Sequence, residues 1–121
     1  MSDETTTIAD LRRAIESFVA ERDWQPFHSP KNLAMSLAIE AAELMEHFQW
    51  ITIEESRAVA RDKAKRAAAG EELADVLAYV LAMANALQLD LATTFRDKLA
   101  GNAERYPVAL SRGRHERPSS T

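Results

Sequence analysis

The sequence predicts an all-α protein, and three observations point there. Apolar residues recur at helical spacing in four stretches, a good capping residue stands before each, and Ala and Leu abound while 121 residues include only three Gly and four Pro. A chain of this length with 46% hydrophobic residues makes one domain with a modest core. Without cysteine there is no disulfide framework and no thiol nucleophile. Met1-Ser2-Asp3-Glu4 lacks the basic and apolar regions of a secretory signal, and no apolar run reaches the roughly 20 residues of a membrane span, so the cytoplasm is the expected location. A net charge of −4 argues against a general nucleic-acid binder.

The first helix is read over Thr7 to Arg22: Thr7 caps, Asp10 takes the third helical position, and Ile8, Leu11, Ile15, Phe18 and Val19 form the core side. The connection Asp23 to Pro30 carries Trp24, Phe27 and His28. Phe27 reads as cover for the core, whereas Trp24 offers a broad π-face on which a base could stack. Ser29 caps the second helix with Pro30 at its first position, and that helix is expected to run to about Trp50. Thr52 and Glu55 have the spacing of a capping box and start a short helical turn. Asp62 caps a long helix to about Leu87, in which Gly70 costs about 1 kcal/mol relative to alanine. Arg57, Arg61, Lys63, Lys65 and Arg66 read as a solvated basic face. Asp90 caps a last helix, Leu91 to Arg105, ended by Tyr106-Pro107. Residues 1–107 are thus one all-α domain, and 108–121, with Arg112, Arg114 and Arg117, a flexible basic tail.

Chemistry gathers on the second and third long helices. Glu40 and Glu43 sit three apart on an otherwise apolar helix, and Glu72 and Asp75 repeat the spacing 32 residues later. On an ideal wheel, Glu40 and Glu43 fall about 70° and 130° to one side of the stripe Leu33, Leu37, Ala41, Leu44, Met45 and Phe48. Glu72 and Asp75 fall about 80° and 140° to the same side of the stripe Leu73, Val76, Leu77, Val80, Ala84 and Leu87. Antiparallel packing through these stripes would bring the four carboxylates to a common space. A single E-x-x-E is usually only a charged face. Two with matching offsets make a cluster of like charge that hard divalent cations would relieve, and magnesium suits an all-oxygen site. Glu46 and Glu71 point away and read as solvated.

Lys98, Asn102 and Arg105 share one face of the last helix. Alone this is an ordinary wet face; beside a metal site it is what a triphosphate needs. Leu81 lies well round from Val76, so the long helix is apolar on two sides, which suggests burial against another subunit. No glycine-rich phosphate loop is present. A ferritin-like di-iron site would want Glu-x-x-His, and His47 misses that register.

As a set, these motifs resemble the all-α MazG-like nucleoside triphosphate pyrophosphohydrolases. The carriers are Glu40-x-x-Glu43, Glu72-x-x-Asp75 and Lys98-x-x-x-Asn102-x-x-Arg105-Tyr106-Pro107. The segments Glu21-Arg22-Asp23-Trp24, Phe27-His28-x-Pro30-Lys31-Asn32-Leu33 and Phe48-Gln49-Trp50 look like the dCTP pyrophosphatase branch. The resemblance runs from about Leu11 to Pro107. It implies a four-helix bundle that dimerises or forms a tetramer, with Mg²⁺ held by Glu40, Glu43, Glu72 and Asp75, which are also the catalytic groups. It implies further that Lys98 and Arg105 meet phosphate oxygens with Asn102 and Tyr106 orienting them. Trp24 and Trp50 would flank the base, with Tyr79, His28 and Lys31 also on the substrate. The implied reaction is attack of water on the α-phosphorus of a deoxynucleoside triphosphate, dCTP or a modified dCTP first, releasing pyrophosphate. Another specificity such as dUTP, or a non-catalytic helical interaction module, are the alternatives.

Overall fold

The computed structural model describes residues 1–118, and every regular element among them is helical. The α-helices are α1 (Ile8–Glu21), α2 (Pro30–Glu46), α3 (Ile53–Ala58), α4 (Lys63–Leu87), α5 (Leu91–Arg105) and α6 (Val108–Ser111). Single 3₁₀ turns occupy Gln25–Phe27 and Val59–Arg61. No single helix among the described residues is long and apolar enough to cross a membrane. Two compact units can be distinguished, Met1–Gln88 and the chain from Leu89 onward.

Each helix start follows from a side chain that satisfies the orphan amides of the first turn. Thr7 Oγ1 accepts from the Asp10 amide while the Asp10 carboxylate accepts from the Thr7 amide, and Thr52 with Glu55 does the same for α3. Ser29, Asp62 and Asp90 accept from the amides of Asn32, Lys65 and Thr93. The end of α1 is set differently. The Asp23 amide donates to Ala20 O and the Trp24 amide to Val19 O, with Asp23 in the left-handed region at φ 52°, so the chain reverses in a Schellman turn that fixes Trp24 beside α1.

In the first unit α4 is the central rod. Helix α2 packs along it, and α1 packs on its C-terminal half. Both neighbours run antiparallel to α4. His28, just before α2, stands against Tyr79 while His47, just after it, stands against Glu72; Arg12 Nε donates to Asn85 Oδ1 at 2.8 Å near the start of α1. Val19, Leu33, Leu81, Ala82 and Ala84 are buried, and Gly70 sits within an unbroken α4.

Three expectations need correction. Helix α2 stops at Glu46 instead of near Trp50: the amides of His47 and Phe48 donate three residues back, to Leu44 O and Met45 O, tightening the last turn. Thr52, extended at ψ 165°, then caps α3. The apolar stripe of α4 is also displaced. Ala84 is buried, but Leu73, Leu77 and Leu87 remain 58%, 45% and 51% exposed, because the face of α4 that its own chain covers is centred on Leu81, Ala82 and Ala84. On α2, likewise, Leu33 is buried while Met45 is 70% exposed. Within the segment read as a basic tail, α6 forms after Pro107, and residues 119–121 lie outside the described residues.

Candidate functional site

The acid pairs of α2 and α4 meet across the helix pair. Glu40, Glu43 and Glu72 each offer an oxygen within 4.8 Å of those of the other two, so the three form a group able to hold a divalent cation. Asp75 stands outside this tightest group, yet its charge acts on Glu40.

The carboxylates are strained electrically. Partial burial pushes Glu40 above the usual glutamate range, and the hydrogen-bond contact with Glu43 and the charges of Glu43, Asp75 and Glu72 add to it. Glu72 is raised by burial and then by Glu43, while His47, with Nε2 at 3.7 Å from Glu72 Oε1, pulls the other way. Glu40 Oε2 and Glu72 Oε2 are buried without a hydrogen-bond partner. Anionic oxygens withdrawn from water and left unpartnered fit a cation-binding role, and an all-carboxylate donor set fits a hard ion.

A cavity of ≈ 340 Å³ opens beside the acids, bordered by Ile15, Phe18, Val19, Trp24, His28, Asp75, Ala78, Tyr79 and Ala82. Asp75 thus belongs to the cavity wall as well as to the acidic neighbourhood. Trp24 is held there from behind: Phe18 meets it edge to face at 5.8 Å, and the Arg22 guanidinium caps Phe18 at 3.8 Å. His28 and Tyr79 face one another with centroids 6.5 Å apart. The volume suits one planar heterocycle, with aromatic faces for stacking and few polar groups to orient it.

The remaining sequence-derived residues are not among those that form the acidic cluster or line this cavity. Lys31 is exposed on the first turn of α2, and Trp50 is 86% exposed on the turn after it. In the second unit Lys98, Asn102 and Arg105 share a face of α5, with Tyr106 as its C-cap donating its amide to Asn102 O. Sequence reasoning missed three contributors, His47, Ile15 and Phe18. His47 was set aside on register, although it lies seven residues from Glu40 and hence about 20° from it on the wheel. Ile15 and Phe18 were assigned only to core, because nothing in α1 itself signals the cavity.

A family model described as MazG-like matches residues 35–117, well over half of the sequence. This chain belongs to the MazG-like family. Among relatives of this MazG-like protein, dCTP pyrophosphatase 1 from Bos taurus is 46% identical over 107 residues, covering 88% of this chain and 63% of the relative. The Homo sapiens protein of the same name is 43% identical over 106 residues, covering 88% and 62%. The MazG-like chain therefore spans less than two thirds of the length of these curated relatives. A crystal structure of a pyrophosphatase from Archaeoglobus fulgidus superposes with a TM-score of 0.74 at 33% identity, covering 88% of this chain and 98% of that one.

Proposed function

We propose that this MazG-like protein is a magnesium-dependent pyrophosphohydrolase that converts a deoxynucleoside triphosphate, dCTP or a modified dCTP first, to the monophosphate and pyrophosphate. The observation that carries this reading is the adjacency of two features in one unit: unpartnered carboxylate oxygens on Glu40 and Glu72, and an aromatic cavity walled by Trp24, His28 and Tyr79 that shares Asp75 with the acidic neighbourhood. The names of the relatives, dCTP pyrophosphatase and pyrophosphatase, support the same reaction class.

Glu40, Glu43, Glu72 and Asp75 would hold Mg²⁺, which when bound neutralises phosphate charge and acidifies water. The chain's own residues do the rest. Trp24, packed against Phe18, presents a flat face to the base, and His28 and Tyr79 line the same cavity. Lys98 and Arg105 neutralise phosphate oxygens, Asn102 and Tyr106 orient them, and Lys31 and Trp50 complete the substrate contacts. Water adds to the α-phosphorus as the α–β bridging P–O bond breaks; its proton passes to a carboxylate of the cluster, and the electron pair leaves on pyrophosphate. Residues 1–107 form the working domain. Exposed Leu73 and Leu77 on α4, with Met35 and Ile39 on α2, support a homo-oligomer, which we place in the cytoplasm.

A triphosphate panel with product analysis tests the reading. Pyrophosphate and dCMP formed only with Mg²⁺, and kcat/KM highest for dCTP, are expected. Orthophosphate as product, or no hydrolysis of any member, would overturn it, and a peak at dUTP would move the specificity.

A further inference from the structure

His47 is a chemistry-bearing side chain against the acids that the proposed reaction leaves without a role. It caps the C-terminus of α2 with helical backbone angles, φ −66° and ψ −18°, and its amide donates to Leu44 O and Met45 O, so the ring starts from a fixed base. Nε2 lies 3.7 Å from Glu72 Oε1, across the α2–α4 interface. The other oxygen of the same carboxylate, Glu72 Oε2, is buried and without a hydrogen-bond partner. One oxygen therefore meets an imidazole and the other is left free for the cluster.

The imidazole stands outside the set of mutually close donors, which consists of Glu40, Glu43 and Glu72. Its nitrogen is thus placed to serve a carboxylate rather than an ion. The separation is longer than a hydrogen bond and within charge-contact range, so a small side-chain adjustment closes it. Residue type matters here. A lysine or arginine at 47 would be long enough to pass Glu72 and put a cation among the acids, whereas an imidazole is short, planar and stops at the first oxygen. A glutamate side chain otherwise turns about three bonds, and a partner on one oxygen removes most of that freedom.

Resting on the cation reading above, we propose that His47 is a positioning residue: Nε2–H engages Glu72 Oε1 from the end of α2, so that Oε2 is presented to the divalent ion with Glu40 and Glu43. Histidine also makes the site sensitive to how α2 ends, since the same residue terminates the helix and reaches the acid.

Titration calorimetry of the 121-residue chain with MgCl₂ and, separately, MnCl₂ tests this on wild type, His47→Ala and His47→Gln, with thermal unfolding in EDTA as the control for folding. The expected result is an apparent Kd about 10- to 100-fold weaker in His47→Ala for both ions. His47→Gln, which keeps an N–H donor, should recover most of that loss, and the unfolding midpoints in EDTA should stay together. Wild-type affinity in His47→Ala would overturn the proposal. So would a loss far larger for manganese than for magnesium that glutamine fails to rescue, because that pattern marks a direct nitrogen ligand. A fall of the EDTA midpoint in both variants in parallel with affinity would assign His47 to folding instead. Wild-type protein that takes up neither ion would fail the cation reading itself, a result distinct from any difference among the variants.

Discussion

At Glu40 and Glu72 the fold holds carboxylates where water is scarce and like charge is near, and the consequence is a specific pH response of the cation-free protein. Both groups are raised above the ordinary glutamate value of 4.5. Between that value and the raised one the folded chain binds more protons than the unfolded chain, so stability falls as pH rises through the window and the whole penalty is present above it. Asp10 behaves oppositely. Its hydrogen bonds to Thr7 lower it from 3.8, and the stability it adds is present above that value and lost as pH falls through the lowered one. In EDTA the unfolding midpoint should therefore rise as pH is taken from neutral toward 4.5 and fall again on further acidification. Mg²⁺ at neutral pH should remove most of the first trend; a midpoint indifferent to pH in EDTA would contradict the crowding of these acids. Glu43→Ala should lower kcat/KM by more than about 100-fold, since even outer partners of metal ligands are worth 10- to 100-fold, with helical circular dichroism unchanged. Unaltered turnover would take Glu43 out of the site. The convergence of Glu40, Glu43 and Glu72 was legible in the sequence because equal offsets on two helices survive packing. The partnership of His47 with Glu72 was not, because it depends on where α2 ends.

At the scale of elements, the helix starts were the most legible part of the fold. Thr7, Ser29, Thr52, Asp62 and Asp90 all act as caps, since a side-chain oxygen accepting a first-turn amide needs nothing beyond three residues away. The end of α2 was less so: Phe48 prolongs the apolar pattern, whereas in the structure the amides of His47 and Phe48 turn back to Leu44 O and Met45 O and close the helix. Replacing Thr52 by alanine removes the side-chain half of a capping box, the acceptor for the Glu55 amide, and should cost about 1 kcal/mol in denaturant unfolding. Gly70 offers the opposite test. A Cβ there would meet nothing within 4 Å, and the backbone is already helical, so Gly70→Ala should stabilise by about 0.5–1 kcal/mol; destabilisation would mean that the surface is closely covered in solution.

For the whole molecule, the decisive fact is how little is buried within one chain. Among the described residues only Val19, Leu33, Leu81, Ala82 and Ala84 form the core, while Leu73 and Leu77 stand one turn apart on α4 in solvent. Hydropathy alone marked α4 as apolar on two sides but could not tell which side its own chain would cover; that depends on which face α1 and α2 pack against. Light scattering should give a multiple of the 13.5 kDa chain mass. Leu77→Glu should shift the protein toward monomer and lower its unfolding midpoint, and a monomeric wild type would remove the homo-oligomer from the proposal.

Glu72, Asp75 and Tyr79 ride on one uninterrupted helix, and with a rise of about 1.5 Å per residue the first and last are roughly 10 Å apart along its axis. The rod acts as a ruler between the acids and the aromatic wall. One extra residue spliced in between Asp75 and Tyr79 would swing the phenol by about 100° and lengthen the gauge, so that such an insertion should be far more damaging to substrate selection than any point change along the same span.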